Sequence, residues 1–397
     1  MTHTQSEDNM TGGWKTVKLG EIADYVREKV RISQLDESTY VSTENMLPNK
    51  GGIVPASTLP TGTLTQAFKC GDVLVSNIRP YFKKIWFATF DGGCSADVLV
   101  FRAKSGIDSS FLRYALSNDS FFAHSMASSK GTKMPRGDKQ SIMRYEVPDV
   151  PLDVQRRIAA VLKPLDDKIE LNARINARLE RAAQALFKRH FVRFEREKRP
   201  FSSLIQICGG GTPKTDVKEY WNGDIPFFTP KDANNTFTFK TEKSVTQLGI
   251  EHCNSPLYPA NTTFITARGT VGKVSMAGIP MAMNQSCYAL TSDVLDPILV
   301  YFYAQEIVKS LRKKASGAVF DAIVTRDFSS ETISMLSDAE ANEILSAIKP
   351  LMNAIHLNLR QSRTLARLRD VLLPRLMSGA VDVRQVRLNT MQEGGSR

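Results

Sequence analysis

Two segments of the chain repeat one another, and an internal repeat constrains the possible folds more strongly than composition does. Residues 158–186 and 344–372 align without a gap at an offset of 186. Eleven of these 29 positions are identical, whereas unrelated segments of ordinary composition would agree at roughly two. The chain therefore contains two copies of one structural plan, each ending in a segment of this kind.

The repeated segments carry apolar residues at alternating steps of four and three, the 3.5-residue period of a coiled-coil seam. A narrow apolar stripe on a long helix needs a partner helix, and the other copy is the nearest candidate. Polar residues near the middle of both seams would meet if the helices ran antiparallel. The alternative is that each helix packs only on its own globular region. The seam positions are Ile158, Leu162, Leu165, Ile169, Asn172, Asn176, Leu179, Leu186, Ile344, Ile348, Leu351, Ile355, Asn358, Ser362, Leu365 and Leu372.

Each repeated segment also contains a proline near its start, Pro164 in the first and Pro350 in the second. Proline removes a backbone hydrogen bond and clashes with the preceding turn of a helix. We expect each proline to kink or interrupt its helix, so that the long uninterrupted part begins at or after it.

Two stretches outside the helices, residues 14–150 and 197–336, are similar in length. Short runs of β-branched and aromatic residues, bounded by Gly, Pro, Asn and Asp, predict strands in both stretches. Helices near 109–123 and 297–313 are expected to follow these strands. The two stretches are therefore mixed domains with a strand-rich core.

Faint landmarks relate the two stretches although most of their residues differ. Tyr40–Met46 parallels Pro226–Asp232, again at an offset of 186, and Val75–Arg79 parallels Phe264–Arg268. The predicted fold class is α+β, with two strand-rich domains separated by two long helices that form an antiparallel coiled coil with a pseudo-two-fold axis. The expected domains are flexible tails at 1–13 and 384–397, globular domains at 14–150 and 197–336, and helical spacer regions at 151–196 and 337–383.

Charge and missing motifs favour a binding protein over a catalyst. Lys and Arg number 52 against 41 Asp and Glu, a net charge of +11 that suits a polyanion such as nucleic acid. The nearest match to a phosphate-binding loop, Ala267–Val274, lacks the first glycine and the final Ser or Thr. The five histidines show no metal-ligand spacing, and the five cysteines lie far apart, as reduced and mostly buried thiols would. We therefore predict no catalytic, cofactor or metal site in this chain.

The segments that could direct the chain to a membrane are also missing from the sequence. The polar start lacks the apolar core of a signal peptide, and no stretch approaches the roughly 18 apolar residues of a spanning helix. We expect a soluble cytoplasmic protein that does not bind a membrane.

Basic residues cluster at comparable places in the two globular stretches. Lysines in flexible loops suit phosphates, whereas arginines flanked by aromatic residues can reach base edges. Any single one of them could equally be an ordinary surface charge. The candidate DNA-binding residues are Arg79, Lys83, Lys84, Lys130, Lys133, Arg136, Lys214, Lys231, Arg268, Lys273, Lys313, Lys314 and Arg326.

Several motifs, taken in this order with the duplicated helices, give the chain a recognisable pattern. Over about residues 14–383 it resembles the specificity subunits of type I restriction-modification systems. The residues that carry the resemblance are YVSTENM (40–46), PLDVQRRI (151–158), GGTPK (210–214), YWNGDIPFFT (220–229) and Asn284-Gln285.

This resemblance implies that 14–150 and 197–336 are target-recognition domains, each reading one half of a bipartite, asymmetric site in double-stranded DNA. It further implies that the helices set the spacer and dock two methyltransferase (modification) subunits, with restriction (translocase) subunits added for cleavage. The family uses S-adenosylmethionine for adenine methylation and ATP with Mg²⁺ for cleavage, and these cofactors would belong to the partner subunits. An alternative is a specificity chain of a related restriction system whose partner combines methylation and cleavage in one polypeptide.

The physics of a long helix pair suits this division of labour. Thirty helical residues span roughly 45 Å at ~1.5 Å per residue, which can hold two readers about one duplex turn, ~34–36 Å, apart. A pseudo-two-fold axis would offer equivalent faces to two identical partners. Helix length would then act as a ruler between the half-sites.

Overall fold

The computed structural model describes residues 14–192, 197–314 and 322–386, with the side chains of residues 190–192 excepted. The predicted tail at 1–13 and residues 387–397 of the predicted C-terminal tail lie outside the described residues. The chain folds as two compact units, which are described separately. Unit 1 is drawn from Met1–Lys168 and Leu365–Arg397, and unit 2 from Ile169–Thr364.

Unit 1 is built on two four-stranded sheets, ordered β2-β9-β6-β7 and β3-β5-β8-β4, together with the antiparallel pair β1-β10. The β4-β8 pair is parallel, whereas the other pairs in these sheets are antiparallel. The strands are β1 Thr16–Lys18, β2 Ala23–Tyr25, β3 Lys29–Arg31, β4 Tyr40–Val41, β5 Leu64–Phe68, β6 Val73–Ser76, β7 Ile85–Phe87, β8 Gly92–Cys94, β9 Val98–Ala103 and β10 Glu146–Pro148.

The helices of unit 1 before the coiled coil are short. The region predicted as one helix near 109–123 forms two, because Asn118 leaves the helical conformation and caps the second helix through Ser120. The helices are α1 Leu19–Ile22, α2 Ser109–Ser117, α3 Asp119–Ala127 and α4 Lys139–Ile142, and a 3₁₀ turn spans Pro80–Phe82.

Unit 2 repeats the plan of unit 1 with a five-stranded sheet, β12-β19-β16-β17-β14, a three-stranded sheet, β15-β13-β18, and the pair β11-β20. The β13-β18 pair is parallel, like β4-β8 in unit 1. The strands are β11 Lys198–Pro200, β12 Gln206–Gly209, β13 Trp221–Phe228, β14 Phe237–Thr238, β15 Lys243–Val245, β16 Thr263–Thr266, β17 Val274–Ala277, β18 Ala282–Met283, β19 Cys287–Thr291 and β20 Thr332–Ser334. The helices are α6 Gln247–Glu251, α7 Pro297–Lys314 and α8 Thr325–Ser329.

Two long helices contribute to both units: α5, Leu152–Val192, of 41 residues, and α9, Asp338–Met377, of 40 residues. Every predicted seam position on them is buried or half-buried. Val154 and Ile158 of α5 pack with Leu376 of α9 in the core of unit 1. In the core of unit 2, Phe187 of α5 packs with Ile348 of α9. The alternative in which each helix packs only on its own region is therefore wrong.

Polar residues in the middle of the seam show the direction of the two helices within unit 2. Asn172 donates its Nδ2 to Gln361 at 2.9 Å and to Ser362 at 3.2 Å, while Asn358 donates to Asn176 at 2.8 Å. The residue later in α5 thus meets the residue earlier in α9. The predicted antiparallel pairing is confirmed.

The predicted interruption at the two prolines is wrong, because α5 runs through Pro164 and α9 through Pro350. Both proline rings are exposed. Their neighbours Leu162 and Ile348 are fully buried in the cores. Burial of the turn beside each proline therefore outweighs its helix-breaking cost of roughly 3 kcal/mol.

The five cysteines are all free, but only Cys94 and Cys287 are buried, so the expectation of mostly buried thiols is wrong. Burial raises the pKa of Cys94 to about 12. No described helix combines the length and the apolar character that crossing a membrane requires.

Candidate nucleic-acid interface

A polar turn follows strand β4 in unit 1 and strand β13 in unit 2, and it shows which residues of the two units correspond. The backbone N–H of Ser42 donates to Asn45 Oδ1 at 2.6 Å, and that of Thr229 donates to Asp232 Oδ2 at 2.8 Å. These pairs correspond at an offset of 187, not at the 186 expected from the sequence. The landmark is real, and its alignment is wrong by one residue.

Three loops meet beyond the end of strand β6 in unit 1. We call this meeting point the loop junction, and it comprises residues 77–79, 95–97 and 130–136. Asn77 donates its N–H to the Asp97 carbonyl at 2.8 Å, and Arg79 donates its N–H to the Pro135 carbonyl at 2.8 Å. Ile78 also forms a β-bridge with Arg136. Backbone hydrogen bonds therefore hold three separate segments at one place.

Unit 2 builds the same loop junction from residues 267–269, 284–286 and 322–323. Ala267 donates its N–H to the Ser286 carbonyl at 2.8 Å, and Ile323 donates to the Ala267 carbonyl at 2.9 Å. Arg268 forms a β-bridge with Ala322, as Ile78 does with Arg136 in unit 1. The bond from the first residue of the loop and the β-bridge of the second thus repeat across the two units, although the side chains differ.

This register corrects the predicted pairing of Arg79 with Arg268. Because Asn77 and Ala267 make the same hydrogen bond, Ile78 corresponds to Arg268 and Arg79 to Gly269. The backbone agrees, since φ is +50° at Arg79 and +79° at Gly269. The two arginines therefore occupy adjacent positions of the corresponding loops, not the same position.

Two of the candidate basic residues support the loop junction of unit 1 directly. Arg136 donates to the Asp97 carboxylate at 3.1 Å, and its backbone pairs with that of Lys130. The Lys130 ammonium lies 3.7 Å from Asp138, and the Lys130 side chain is 86% exposed, so it remains available to a ligand.

Lys83 and Lys84 follow the 3₁₀ turn, where the aromatic rings of Tyr81 and Phe82 are exposed. Lys83 pairs with Asp119 at 2.7 Å, and Lys84 donates to the Thr43 carbonyl at 2.5 Å. Burial lowers the pKa of Lys84, and nearby Arg79 lowers it further against the opposing effect of Glu44.

Several candidates in unit 2 have partners within the unit. Lys273, which occupies the place of Lys84 in the frame, donates to Asn234 at 3.3 Å. Lys231 pairs with Glu242 at 3.1 Å, and Lys314 pairs with the buried Glu331. Lys314 therefore has a structural role at the end of α7 besides being a candidate for DNA binding.

The remaining candidates lie on the surface. Lys313 is exposed in the last turn of α7. Residues 315–321, which follow α7, lie outside the described residues. Four other side chains are exposed and have no hydrogen bond or ion pair within the described part of the chain: Lys133, Lys214, Arg268 and Arg326.

Sequence reasoning missed two contributors to the loop junction of unit 1. Asp97 orients Arg136, and Asn77 is buried with no partner for its Oδ1 among the described residues. No sequence pattern marks either residue. The turn residues Asn45 and Asp232 did carry a signal, because each lies three positions after a Ser or Thr whose N–H it accepts.

Comparisons with known proteins agree with this architecture. The sequence model of the family described as type I restriction modification DNA specificity domain matches residues 11–181 and 195–366. The HindI specificity subunit of Haemophilus influenzae is 24% identical, over 93% of this chain and 99% of that protein. The EcoR124I/EcoR124II specificity subunit of Escherichia coli is 27% identical, over 52% of this chain and 55% of that protein.

A solved structure shares the fold. The crystal structure of the type I restriction-modification S subunit from M. genitalium superposes with a TM-score of 0.54 at 15% identity, and covers 93% of this chain and 97% of that one. Since the family model matches twice and spans most of the sequence, the chain belongs to the family of type I restriction-modification DNA specificity subunits.

Proposed function

We propose that units 1 and 2 each read one half of a bipartite, asymmetric DNA site, and that the chain itself catalyses no reaction. One observation carries this proposal: the same loop junction occurs once in each unit, with different side chains on the same backbone frame. Corresponding positions hold Arg79 against Gly269 and Asp97 against Ser286. Two recognition units that share a backbone arrangement but carry different side chains can bind two different half-sites.

The long helices are the proposed ruler between the half-sites. Helix α5 has 41 residues, which at ~1.5 Å per residue is about 60 Å. That length exceeds one duplex turn of ~34–36 Å. A change in helix length would therefore change the gap between the half-sites.

Two copies of a modification subunit are the proposed partners of the helix pair, and restriction subunits complete the complex. The duplication supports this, because Leu171 and Leu357 are identical repeat positions and are 41% and 61% exposed. Equivalent apolar contacts suit two identical partners. S-adenosylmethionine, ATP and Mg²⁺ would act in those partners.

Replacing residues 197–336 with a copy of 14–150 tests the proposal. The variant, reconstituted with its modification subunits, is expected to methylate a symmetric inverted repeat of the first half-site. The chain alone, incubated with labelled S-adenosylmethionine and DNA, is expected to transfer no methyl group. An unchanged target sequence, or methylation by the chain alone, contradicts the proposal.

A further inference from the structure

Arg79 holds a backbone conformation that an arginine rarely adopts. Its φ of +50° lies in the left-handed region, and the corresponding residue of unit 2 is a glycine with a φ of +79°. A residue with a Cβ is strained in this conformation, which glycine adopts freely. Unit 1 therefore keeps an arginine where the frame favours glycine. Strain of this kind is typical of functional positions.

The guanidinium of Arg79 is partly buried but not neutralised. Among the described residues its Nε is buried without a hydrogen-bond partner, and so is Oδ1 of the nearby Asn77. Within the described residues no carboxylate pairs with Arg79 and no hydrogen bond occupies its terminal nitrogens. Unlike Nε, those nitrogens are not fully buried, so they keep contact with solvent.

A second cation lies close to this guanidinium. Burial lowers the pKa of Lys84, and the positive charge of Arg79 lowers it further. The Lys84 ammonium is already bound to the Thr43 carbonyl at 2.5 Å. Arg136, in another loop of the junction, donates a hydrogen bond to Asp97. Arg79 is thus the arginine of this loop junction whose planar fork is unoccupied.

We propose that Arg79 is a base-reading residue of unit 1, whose fork donates to O6 and N7 of a guanine in the major groove. This rests on the proposed function of unit 1 as a DNA reader. A planar and unpaired arginine fork matches the acceptor pair of guanine. Phosphate contacts, in contrast, need only a cation on a flexible stem, such as Lys133 supplies.

The same reasoning separates the two readers. Gly269 gives unit 2 no side chain at this position, and the exposed Arg268 projects from the neighbouring place in the frame. The Arg79 contact therefore belongs to one half-site only. It contributes to the asymmetry of the whole site.

The test uses the chain reconstituted with its modification subunits and a DNA pool randomised over both half-sites. Wild type is compared with Arg79→Lys, which keeps the charge without the fork, and with Arg79→Gly, which suits the backbone. Both variants are expected to lose a preference of about 10- to 100-fold for guanine at one position of one half-site. Arg199→Lys, whose wild-type arginine already pairs with Glu197 at 2.8 Å, is the matched control and is expected to keep every preference.

The outcomes separate this inference from the proposed function. Thermal unfolding checks that Arg79→Gly is folded, and Arg79→Lys tests the fork independently of backbone strain. The inference is overturned if both variants keep every base preference, or if the lost preference is for a base other than guanine. It is also overturned if Arg79→Gly weakens binding equally to all sequences while Arg79→Lys binds like wild type. The last result would identify a phosphate contact. If wild type itself selects no bipartite sequence, the proposed function fails instead.

Discussion

In unit 1 the loop after β6 carries Asn77, Ile78 and Arg79, whereas in unit 2 the loop after β16 carries Ala267, Arg268 and Gly269. The first residue of each loop donates the same backbone hydrogen bond, at 2.8 Å in both units. Backbone groups impose no side-chain identity, so this frame survives while the side chains diverge. A recognition domain can thus change what it reads without changing how it folds.

The two units also stabilise the helix pair with different chemistry. In unit 1, Asp166 accepts hydrogen bonds from Arg113 and Tyr114 at 2.9 Å each and from Arg369 at 2.7 Å. In unit 2, the amide of Asn172 bonds across the seam to Gln361 and Ser362. A charged cluster ties the helices to α2 in unit 1, whereas neutral amides join them to each other in unit 2.

Removing Asp166 is expected to have the largest effect on stability. Asp166→Ala leaves Arg113 without its carboxylate and Arg369 with Asp370 alone, and Asp166 and Arg369 have side chains only 10% and 14% exposed. We expect a loss of about 3–5 kcal/mol in the free energy of unfolding. Asn172→Ala removes neutral hydrogen bonds and is expected to cost less, about 1–2 kcal/mol. Urea denaturation of the two variants measures the difference.

Asp167→Ala is the matched control for Asp166. Its carboxylate pairs with Lys163 on the same helix and is 55% exposed, so its loss is expected to cost less than about 0.5 kcal/mol. Equal losses for Asp166→Ala and Asp167→Ala would refute the role assigned to the charged cluster.

The smallest expected effect is on the salt dependence of DNA binding, to which an exposed lysine in each unit is expected to contribute. Lys133 in unit 1 and Lys214 in unit 2 are exposed. If each contacts one phosphate, Lys133→Ala and Lys214→Ala each lower the slope of log affinity against log salt by about 0.9, with base preference unchanged. Lys309→Ala, whose wild-type lysine pairs with Glu306 at 2.8 Å, serves as the control. Slopes equal to that of wild type would make both lysines ordinary surface charges.

The helix pair could be predicted from the sequence because the repeat and its period carry the signal directly. Asn172 and Asn358 lie near the middle of the two seams. Asn172 donates to the Asn358 carbonyl, and Asn358 donates to Asn176, in both cases across the helices. The prolines misled the prediction, since local propensity favoured a break at Pro164 and tertiary packing overrode it.

The recognition regions were predicted only in outline. The paired segments Tyr40–Met46 and Pro226–Asp232 contain the corresponding turns, but an alignment at 186 placed Asn45 and Asp232 one residue out of register. Strand pairing depends on backbone hydrogen bonds between distant segments, which leave no mark in a sequence of divergent side chains. For the same reason Asn77 and Asp97 were missed, and Arg79 was paired with Arg268 instead of Gly269.

Selection of DNA by the intact complex measures the central claim most directly. The wild-type chain, reconstituted with its modification subunits, is incubated with a long randomised duplex, and the methylated molecules are sequenced. Two unlike short sequences separated by a constant number of unspecified base pairs are the predicted result. One continuous sequence, or an inverted repeat of a single half-site, would contradict a chain with two different readers.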